Sequence, residues 1–432
     1  MSYLDLTSAP IGASAGSPVG YAGWRFCVQV ATTLTGAVLG SFVLGTDVLS
    51  EVQWTDVTAD VEFVDIERGN AAGENPGAGK LSVRLRNITG AYLPRNGLYF
   101  GPGTLCRVSI GPGSTLCPWI TAVSTSWNET SDGDRKVRWI DIEADEVTSL
   151  LGEVNNEAVS PIGAGESVLA RFNRVLDSAN WQFGSNPSIP SPVSGWAMQP
   201  TTLADDAWTE LELVAESTGL VLIADKQGRV CLRPRVNAGT AVTLGSDVPI
   251  IADSIDTEND ARRVLGQVTA GRHNEDEDVY EPALTYYKSG IEGRYQKRST
   301  SFTNLRTRNP GNNEDLALYA NDRLDRGAQT YRVGSVGLNT LNGAAVWNFL
   351  STVDIGSPVN VIHADRDTTD LVGMFLDYFV CKYNIHIEPL SSARSVFISG
   401  TIETDTTATS QYAYGPLWDT ARWDISTWGT TR

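Results

Sequence analysis

Lys80 to Asn87 reads KLSVRLRN. Leu81, Val83 and Leu85 fall on one side of an extended chain, Arg84 and Arg86 on the other. That period of two predicts a β-strand with one face in a core and one in solvent. The loop before it, Gly69 to Gly79, is rich in Gly, Asn and Pro and predicts an exposed turn. Leu105 to Ile110 and Val137 to Ala144 continue the same pattern. Further upstream, 21 residues without a charge lie between Arg25 and Asp47, long enough to span a bilayer. They are interrupted by Thr32, Thr33, Thr35, Gly36, Gly40, Ser41 and Gly45, so Phe26 to Thr32 and Val38 to Leu44 read as a hairpin turning at Gly36, not as a membrane segment.

Helical spacing begins near Glu166, where Val168, Leu169, Phe172, Val175, Leu176 and Ala179 recur on one side and Asn180 ends the pattern. A Pro- and Ser-rich loop follows (Gly184 to Gly195). A second helix runs from about Asp205 to Ser217, with Asp205 or Asp206 as N-cap and Gly219 at its C-terminus. It leads into GLVLIADKQGRVCLRPR, a hairpin turning at Asp225 to Gly228. Val264 to Ala270 is another strand, Glu314 to Arg326 another helix with Leu316, Tyr319, Ala320 and Leu324 on one side. Val333 to Leu338, Pro358 to His363, Met374 to Ile387 and Ser395 to Ile402 return to β. The order is therefore β, helix–helix–hairpin, β: a mainly β chain with a smaller α+β part.

The 432 residues suffice for two to four domains, and 41% hydrophobic content supports real cores. The formal net charge is 33 − 51 = −18. That balance excludes a basic footprint for gripping phosphates and suits a conduit that DNA passes without sticking, although it serves solubility equally well. Cys27, Cys106, Cys117, Cys231 and Cys381 are odd in number, scattered and never at metal-ligand spacing; a Cys106–Cys117 bridge stays open. The first residues lack the basic and apolar regions of a signal peptide.

Motifs that would carry chemistry are incomplete. Gly12-Ala13-Ser14-Ala15-Gly16 matches a nucleophile elbow without the strand and helix that one needs. Gly79-Lys80 ends a Gly-rich loop, but Glu74 stands where a phosphate loop has its first glycine and Leu81 where it has Ser or Thr. His363 and His386 lie in predicted strands and could approach each other with no third ligand evident; His273 completes the histidines. Asp365, Asp367 and Asp370 form a turn cluster without the glycine and glutamate of an EF-hand, and Glu275 to Asp278 is a solvated charge run. No catalytic, cofactor-binding or metal-binding residue is nominated. Trp418, Trp423 and Trp428, five residues apart, with Tyr412 and Tyr414, form an aromatic C-terminal stretch. It fits anchoring in a partner's pockets or docking onto the chain's own domain.

Several segments together resemble the minor tail proteins of siphophages infecting actinobacteria, the baseplate or tail-tip hub family. They are GAGKLSVRLRNITGAYLPRN (Gly77 to Asn96), PWITAVSTSW (Pro118 to Trp127), VRWIDIEADEVTSLL (Val137 to Leu151), AWTELELVAESTGLVLIADKQGRVCLRPR (Ala207 to Arg235), IGSPVNVIHA (Ile355 to Ala364) and FVCKYNIHIEPLSSARSVFISG (Phe379 to Gly400). The resemblance runs in order over about residues 50 to 400 and leaves out 1–20 and the Trp-rich tail. It implies two β-barrel hub domains, 21–155 and 236–402 with its helix at 314–326, flanking a central α+β domain at 156–235. An arm (1–20) and a tail (403–432) complete the chain. It further implies a ring-forming homotrimer at the distal end of a virion tail, meeting the distal tail protein, the tape measure protein and tail fibres or a central spike. In that setting DNA passes through without specific binding, no cofactor is used, and the chain is not an enzyme. The rival readings are a tail-tip hydrolase of cell wall or capsule, which needs a nucleophile or paired carboxylates, and a receptor- or carbohydrate-binding tail protein.

Overall fold

A computed structural model describes residues 17–18, 24–35, 51–70, 77–93, 100–112, 115–131, 138–154, 165–251, 254–259, 264–274, 277–288, 298–308, 310–327, 331–363, 374–390 and 395–406. Its strands are β1 (Ser17–Pro18), β2 (Trp24–Thr35), β3 (Glu51–Asp56), β4 (Val61–Gly69), β5 (Lys80–Arg86), β6 (Leu105–Pro112), β7 (Cys117–Ser131) and β8 (Arg138–Glu146) in the first third. A short hairpin, β9 (Val221–Ala224) and β10 (Val230–Arg233), follows two helices, α1 (Val168–Ser178) and α2 (Ala207–Thr218). Next come β11 (Val242–Leu244), β12 (Asp256–Asn259), β13 (Gln267–Asn274), β14 (Val279–Tyr280), β15 (Leu284–Tyr287), β16 (Ser299–Leu305) and helix α3 (Glu314–Gly327). The last elements are β17 (Tyr331–Asn339), α4 (Ala344–Thr352), β18 (Pro358–His363), β19 (Met374–Leu390) and β20 (Ser395–Thr406).

The opening reading of Lys80 to Asn87 holds. In β5, Leu81, Val83 and Leu85 are buried, and β8 beside it buries Ile140, Ile142 and Ala144. These inward rows meet Val64, Ile66, Trp119, Trp347 and Tyr383 in one large core. The mainly β class is as expected, but the two barrels are not. The large sheet is an open path, β1-β2-β6-β7-β8-β5-β4-β19-β20-β17-β12, with β3, β11 and β18 off it. Among the described residues no sheet closes into a barrel. The cause is the 17-residue β19. Its first part, Met374–Phe379, pairs with β18, and its second, Lys382–Ile387, pairs antiparallel with Val64–Gly69 of β4. It thereby extends the N-terminal sheet, and strands of the two regions predicted as separate barrels share one sheet.

Both central helices start where the sequence says. The Ser167 hydroxyl accepts from the Ala170 N–H at 3.2 Å, and the Asp206 carboxylate accepts from the Thr209 N–H at 2.9 Å. Gly219 closes α2 at φ 66°, a conformation favoured for glycine. The hairpin β9–β10 is apolar on both sides because it separates two cores. Val221, Ile223 and Cys231 face the large core, while Leu222, Val230 and Leu232 face the core built by α1 and α2. A third, small core lies between α3 and the sheet of β13, β15 and β16.

Two expectations change. Strand β2 pairs through Gln29–Thr35 with Glu51–Asp56, so its observed partner lies beyond Val38 to Leu44, which is outside the described residues. Helix α4 stands where only strands were predicted. Its nine residues, AAVWNFLST, place Asn348 and Thr352 on an exposed side, a 3.6 period too short to stand out between strands. It buries Val346, Trp347, Phe349 and Leu350, and the Trp119 indole N–H donates to the Leu350 carbonyl at 3.0 Å. Among the described residues no helix is long and apolar enough to cross a membrane.

Candidate functional site

Strand β4 ends with a charge in the wrong place. Val64, Ile66 and Arg68 share one face of the strand, and that face is the core. Arg68 is therefore driven inside and is 2% exposed. A buried guanidinium must find acceptors for its N–H groups, and this one finds them on four other segments. Its Nε donates to Glu146 Oε1 at 2.7 Å, at the end of β8. Nη1 donates to Asp354 Oδ1 and to the Tyr383 hydroxyl, both at 2.8 Å. Nη2 donates to the Ala224 carbonyl at 2.7 Å, at the tip of β9. One side chain thus ties the N-terminal sheet, the central hairpin, the segment after α4 and β19.

The backbone is shaped around it. Gly69 has φ 92°, and a Cβ there would stand 2.0 Å from the Cys381 carbonyl oxygen. A Cβ at Gly79 would stand 2.9 Å from Arg68 Cγ, and the Gly79 N–H donates to Glu146 Oε2 at 3.1 Å. At the hairpin turn, Gly228 has φ 82° and its Cβ would meet Val147 Cγ2 at 2.8 Å. The turn is held by the Asp225 carboxylate, which accepts from the Gln227 and Arg229 N–H groups at 3.0 and 2.9 Å. Beside it Lys226 Nζ donates to the Ser351 carbonyl at 3.1 Å. Arg233 Nη2 donates to the Ile355 carbonyl at 2.6 Å and lies 3.7 Å from Asp354 Oδ2.

Burial and pairing pull the titrating groups in different directions. Burial pushes the Glu146 carboxyl up, and Arg68 offsets only part of this. Burial would also raise Asp354, but Arg68, Lys226 and Arg233 more than offset it and hold that carboxyl below the usual range. Burial acts against the charge of Arg68 too, yet Glu146, Tyr383 and Asp354 together push its pKa well up. Lys226 goes the other way. Burial lowers its pKa from 10.5 to about 8, with Arg68 adding to the fall and Asp354 opposing it. The cluster holds its carboxylates by arginines and offers them to no outside group. Its chemistry is that of a clamp.

The opposite side of the same strands is open. Glu143, Ser82, Asp65 and His386 stand in one row across β8, β5, β4 and β19. Asp145, Lys80, Glu67 and Asn384 form the next. This face lines a cleft of about 700 Å³ that reaches Ile251, Ser254 and Ser335. The Ser82 hydroxyl donates to Glu143 at 2.9 Å, His386 Nδ1 meets Asp65 Oδ1 at 2.5 Å, and Lys382 pairs with Glu67 at 3.0 Å. Each of those carboxylates is already engaged by a neighbour.

The residues singled out from sequence fare differently. Trp418, Trp423, Trp428, Tyr412 and Tyr414 lie outside the described residues, as do Gly12, Ser14, Gly16, Glu275, Asp276, Asp365, Asp367 and Asp370. His363 and His386 are not brought together. His363 pairs with Met374, and His386 stands 386 − 374 = 12 positions further along β19. His273 is buried beneath Tyr280, ring centroids 4.0 Å apart. All five cysteines are free, so Cys106 and Cys117 form no bridge. Arg68, Glu146, Asp354 and Tyr383 escaped sequence reading. A signal did exist: Val64, Ile66 and Arg68 alternate in register, which assigns the arginine to the apolar side.

No family model matches this chain, and no curated protein matches it. Solved structures do. The tail protein from Neisseria meningitidis MC58 superposes with a TM-score of 0.55 at 13% identity, over 88% of this chain and 96% of that one. The 43 kDa tail protein of prophage MuSo2 from Shewanella oneidensis superposes with a TM-score of 0.56 at 13% identity, over 90% of this chain and 100% of that one. At that identity the likeness is one of fold, and it extends over nearly the full length of both proteins.

Proposed function

We propose that this chain is a structural protein of a phage-type tail and acts as its tail-tip or baseplate hub. The observation that carries the reading is the fold shared with two tail proteins over 88% and 90% of this chain. The buried clamp supports it, since Arg68 spends its hydrogen bonds on joining distant segments. In this reading three copies form a ring at the distal end of the virion tail. Residues 21–155 and 236–402 supply its wall and 156–235 narrow the channel. The ring meets the distal tail protein above, the tape measure protein within, and fibres or a spike below. The aromatic residues Tyr412, Tyr414, Trp418, Trp423 and Trp428 anchor one of these partners. The net charge of −18 lets DNA pass without adhering. The chain performs no reaction of its own.

Light scattering on the purified full-length chain, with negative-stain microscopy of the same sample, tests this. A trimeric ring with a central channel is the expected result. A compact monomer with no ring, even with its tail partners present, would overturn the reading. A zymogram on host cell walls tests the hydrolase alternative: a cleared band would remove the claim that the chain performs no reaction.

A further inference from the structure

Residues 264–327 hang on the large sheet by a neck. Asn259, the last residue of β12, pairs with Tyr331, the first of β17, so the chain leaves that sheet and returns to it at one point. Further along, the two ends meet again. The Leu265 N–H donates to the Gly327 carbonyl at 3.0 Å, and a Cβ at Gly327 would stand 2.8 Å from Leu265 Cβ. What lies between folds around its own centre. Val268, Ala270, Leu305, Leu316, Ala320 and Leu324 belong to an apolar core separate from the other two. Beside it Arg272, 2% exposed, donates from Nε and Nη2 to the two carboxylate oxygens of Asp315 at 2.7 and 2.6 Å. Its Nη1 donates to Glu281 at 2.8 Å. Apolar burial and a two-pronged buried ion pair thus hold this lobe to itself.

The seam between the lobe and the helical centre is made differently. The Gln199 N–H donates to the Arg306 carbonyl at 2.7 Å, and the Arg308 N–H to the Ala197 carbonyl at 2.8 Å. The Arg306 N–H donates to the Ser217 hydroxyl oxygen at 2.7 Å, and Gln199 Nε2 to Glu281 Oε1 at 3.2 Å. Arg323 Nη2 lies 3.6 Å from Glu216 Oε1, with the two side chains 31% and 28% exposed. Leu318 lies against Gly219, where a Cβ would stand 3.4 Å from its Cδ2, and is still 42% exposed. Between α2 and α3 a polar cleft of about 290 Å³ remains, with Glu212 and Glu216 on one wall and Tyr319, Asp322 and Arg323 on the other. Domains joined by a polar interface move relative to one another unless that interface is large and hydrophobic. Regions with few buried apolar contacts open more readily than cores do. We propose that residues 264–327 swing as one lobe about the neck at Asn259 and Tyr331, opening the cleft against α2, with Arg323 and Glu216 as the latch. The swing breaks the seam hydrogen bonds and leaves those inside the lobe intact. It uncovers the backbone of 197–199 and the C-terminal turn of α2. The inference stands apart from the oligomeric reading above and survives its failure.

The test is hydrogen exchange of the full-length chain, read by mass spectrometry. Peptides that span 197–199 and 306–308 carry the seam amides, those over 267–274 and 314–327 the lobe interior, and those over 80–86 and 138–146 the large sheet. The expected result is that the seam exchanges first while the lobe interior stays protected. Arg323→Glu and Glu216→Arg each set like charges across the seam. Each should speed exchange at the seam alone by roughly two- to fivefold, the range that an exposed ion pair carries. The two changes together restore an opposite pair and should return the seam to the wild-type rate. Unchanged exchange in the large sheet checks that each variant folds. Seam and interior exchanging at one rate would mean that the lobe melts and does not swing, which overturns the proposal. So does a seam as slow as the large sheet, or one indifferent to both reversals.

Discussion

Two arginines sixteen residues apart, Arg68 and Arg84, meet carboxylates in the same sheet with opposite consequences. Arg84 points outward from β5. Its Nε donates to Asp141 at 2.6 Å, its guanidinium lies 5.2 Å from the centre of the Phe63 ring, and it is 38% exposed. Arg68 points inward from β4 to Glu146 and Asp354 at 2.7 and 2.8 Å. Geometry alone hardly separates the pairs; burial does. In water an ion pair is screened and its partners rehydrate when it breaks. In the core a lost partner leaves a charge with nothing in its place. The comparison teaches that this fold concentrates its electrostatic dependence at one point. That point is where residues 61–69, 146, 221–224, 354 and 383 converge.

The largest effect is expected from removing the centre of that cluster. Arg68→Met keeps the aliphatic length but leaves Glu146, Asp354, the Tyr383 hydroxyl and the Ala224 carbonyl without their donor. Breaking a buried pair from one side costs about 3–5 kcal/mol, enough to unfold a marginal domain. Denaturant titration should show a loss of that size, with the hairpin residues gaining hydrogen exchange before the rest of the large sheet. A loss below about 1 kcal/mol would mean that the segments are held together by the apolar core alone.

Lys226 gives the next largest effect, and its sign is opposite. Its pKa falls from 10.5 to about 8 on folding. Between those values the unfolded chain binds more protons than the folded one, so stability rises with pH across the window. Below pH 8 the burial penalty is fully present; above 10.5 it has gone. The displacement corresponds to about 3 kcal/mol. Lys226→Met removes this dependence, so the stability difference, wild type minus variant, should climb steadily from pH 8 to 10.5. Cys27, Cys106 and Cys231, pushed up by burial to about 12 from 9.0, act in the opposite sense above pH 9. They do so in both proteins and cancel in the difference. A pH-independent difference would show that Lys226 is not desolvated.

These two residues also mark the limit of what the sequence discloses. Alternation gave the strands around Leu81, helical spacing gave the helix that begins near Glu166, and the Asp205–Asp206 cap and Gly219 gave the ends of α2, because each signal is local. The clamp is not local: Arg68 reaches Asp354 across 286 positions and Tyr383 across 315. Pairing of β4 with β19 decides it, and nothing near Arg68 names that partner. The expected barrels failed for the same reason, since a 17-residue strand can serve two neighbours and only tertiary structure selects them. Helix α4 was hidden differently, by its shortness: Asn348 and Thr352 mark its exposed side over only nine residues. The small sheet of β13, β15 and β16 was within reach in part. STSFTNL alternates polar and apolar residues, but its parallel pairing with β13 is long-range.

The smallest effect is the sharpest check on the comparison. Arg84→Ala should change stability by about 0.5 kcal/mol, the range of exposed pairs. The Arg84–Asp141 coupling from a double-mutant cycle with Asp141→Ala should be of the same order. It should shrink further in 1 M salt, where the screening length falls to about 3 Å. The Arg68–Glu146 coupling, measured the same way with Glu146→Gln, should be several-fold larger and almost unmoved by salt, because no ions enter the core. Equal couplings, or equal salt dependence, would mean that burial is not what divides the two arginines. The stacking of Arg84 on Phe63 would then have to carry as much as the whole clamp.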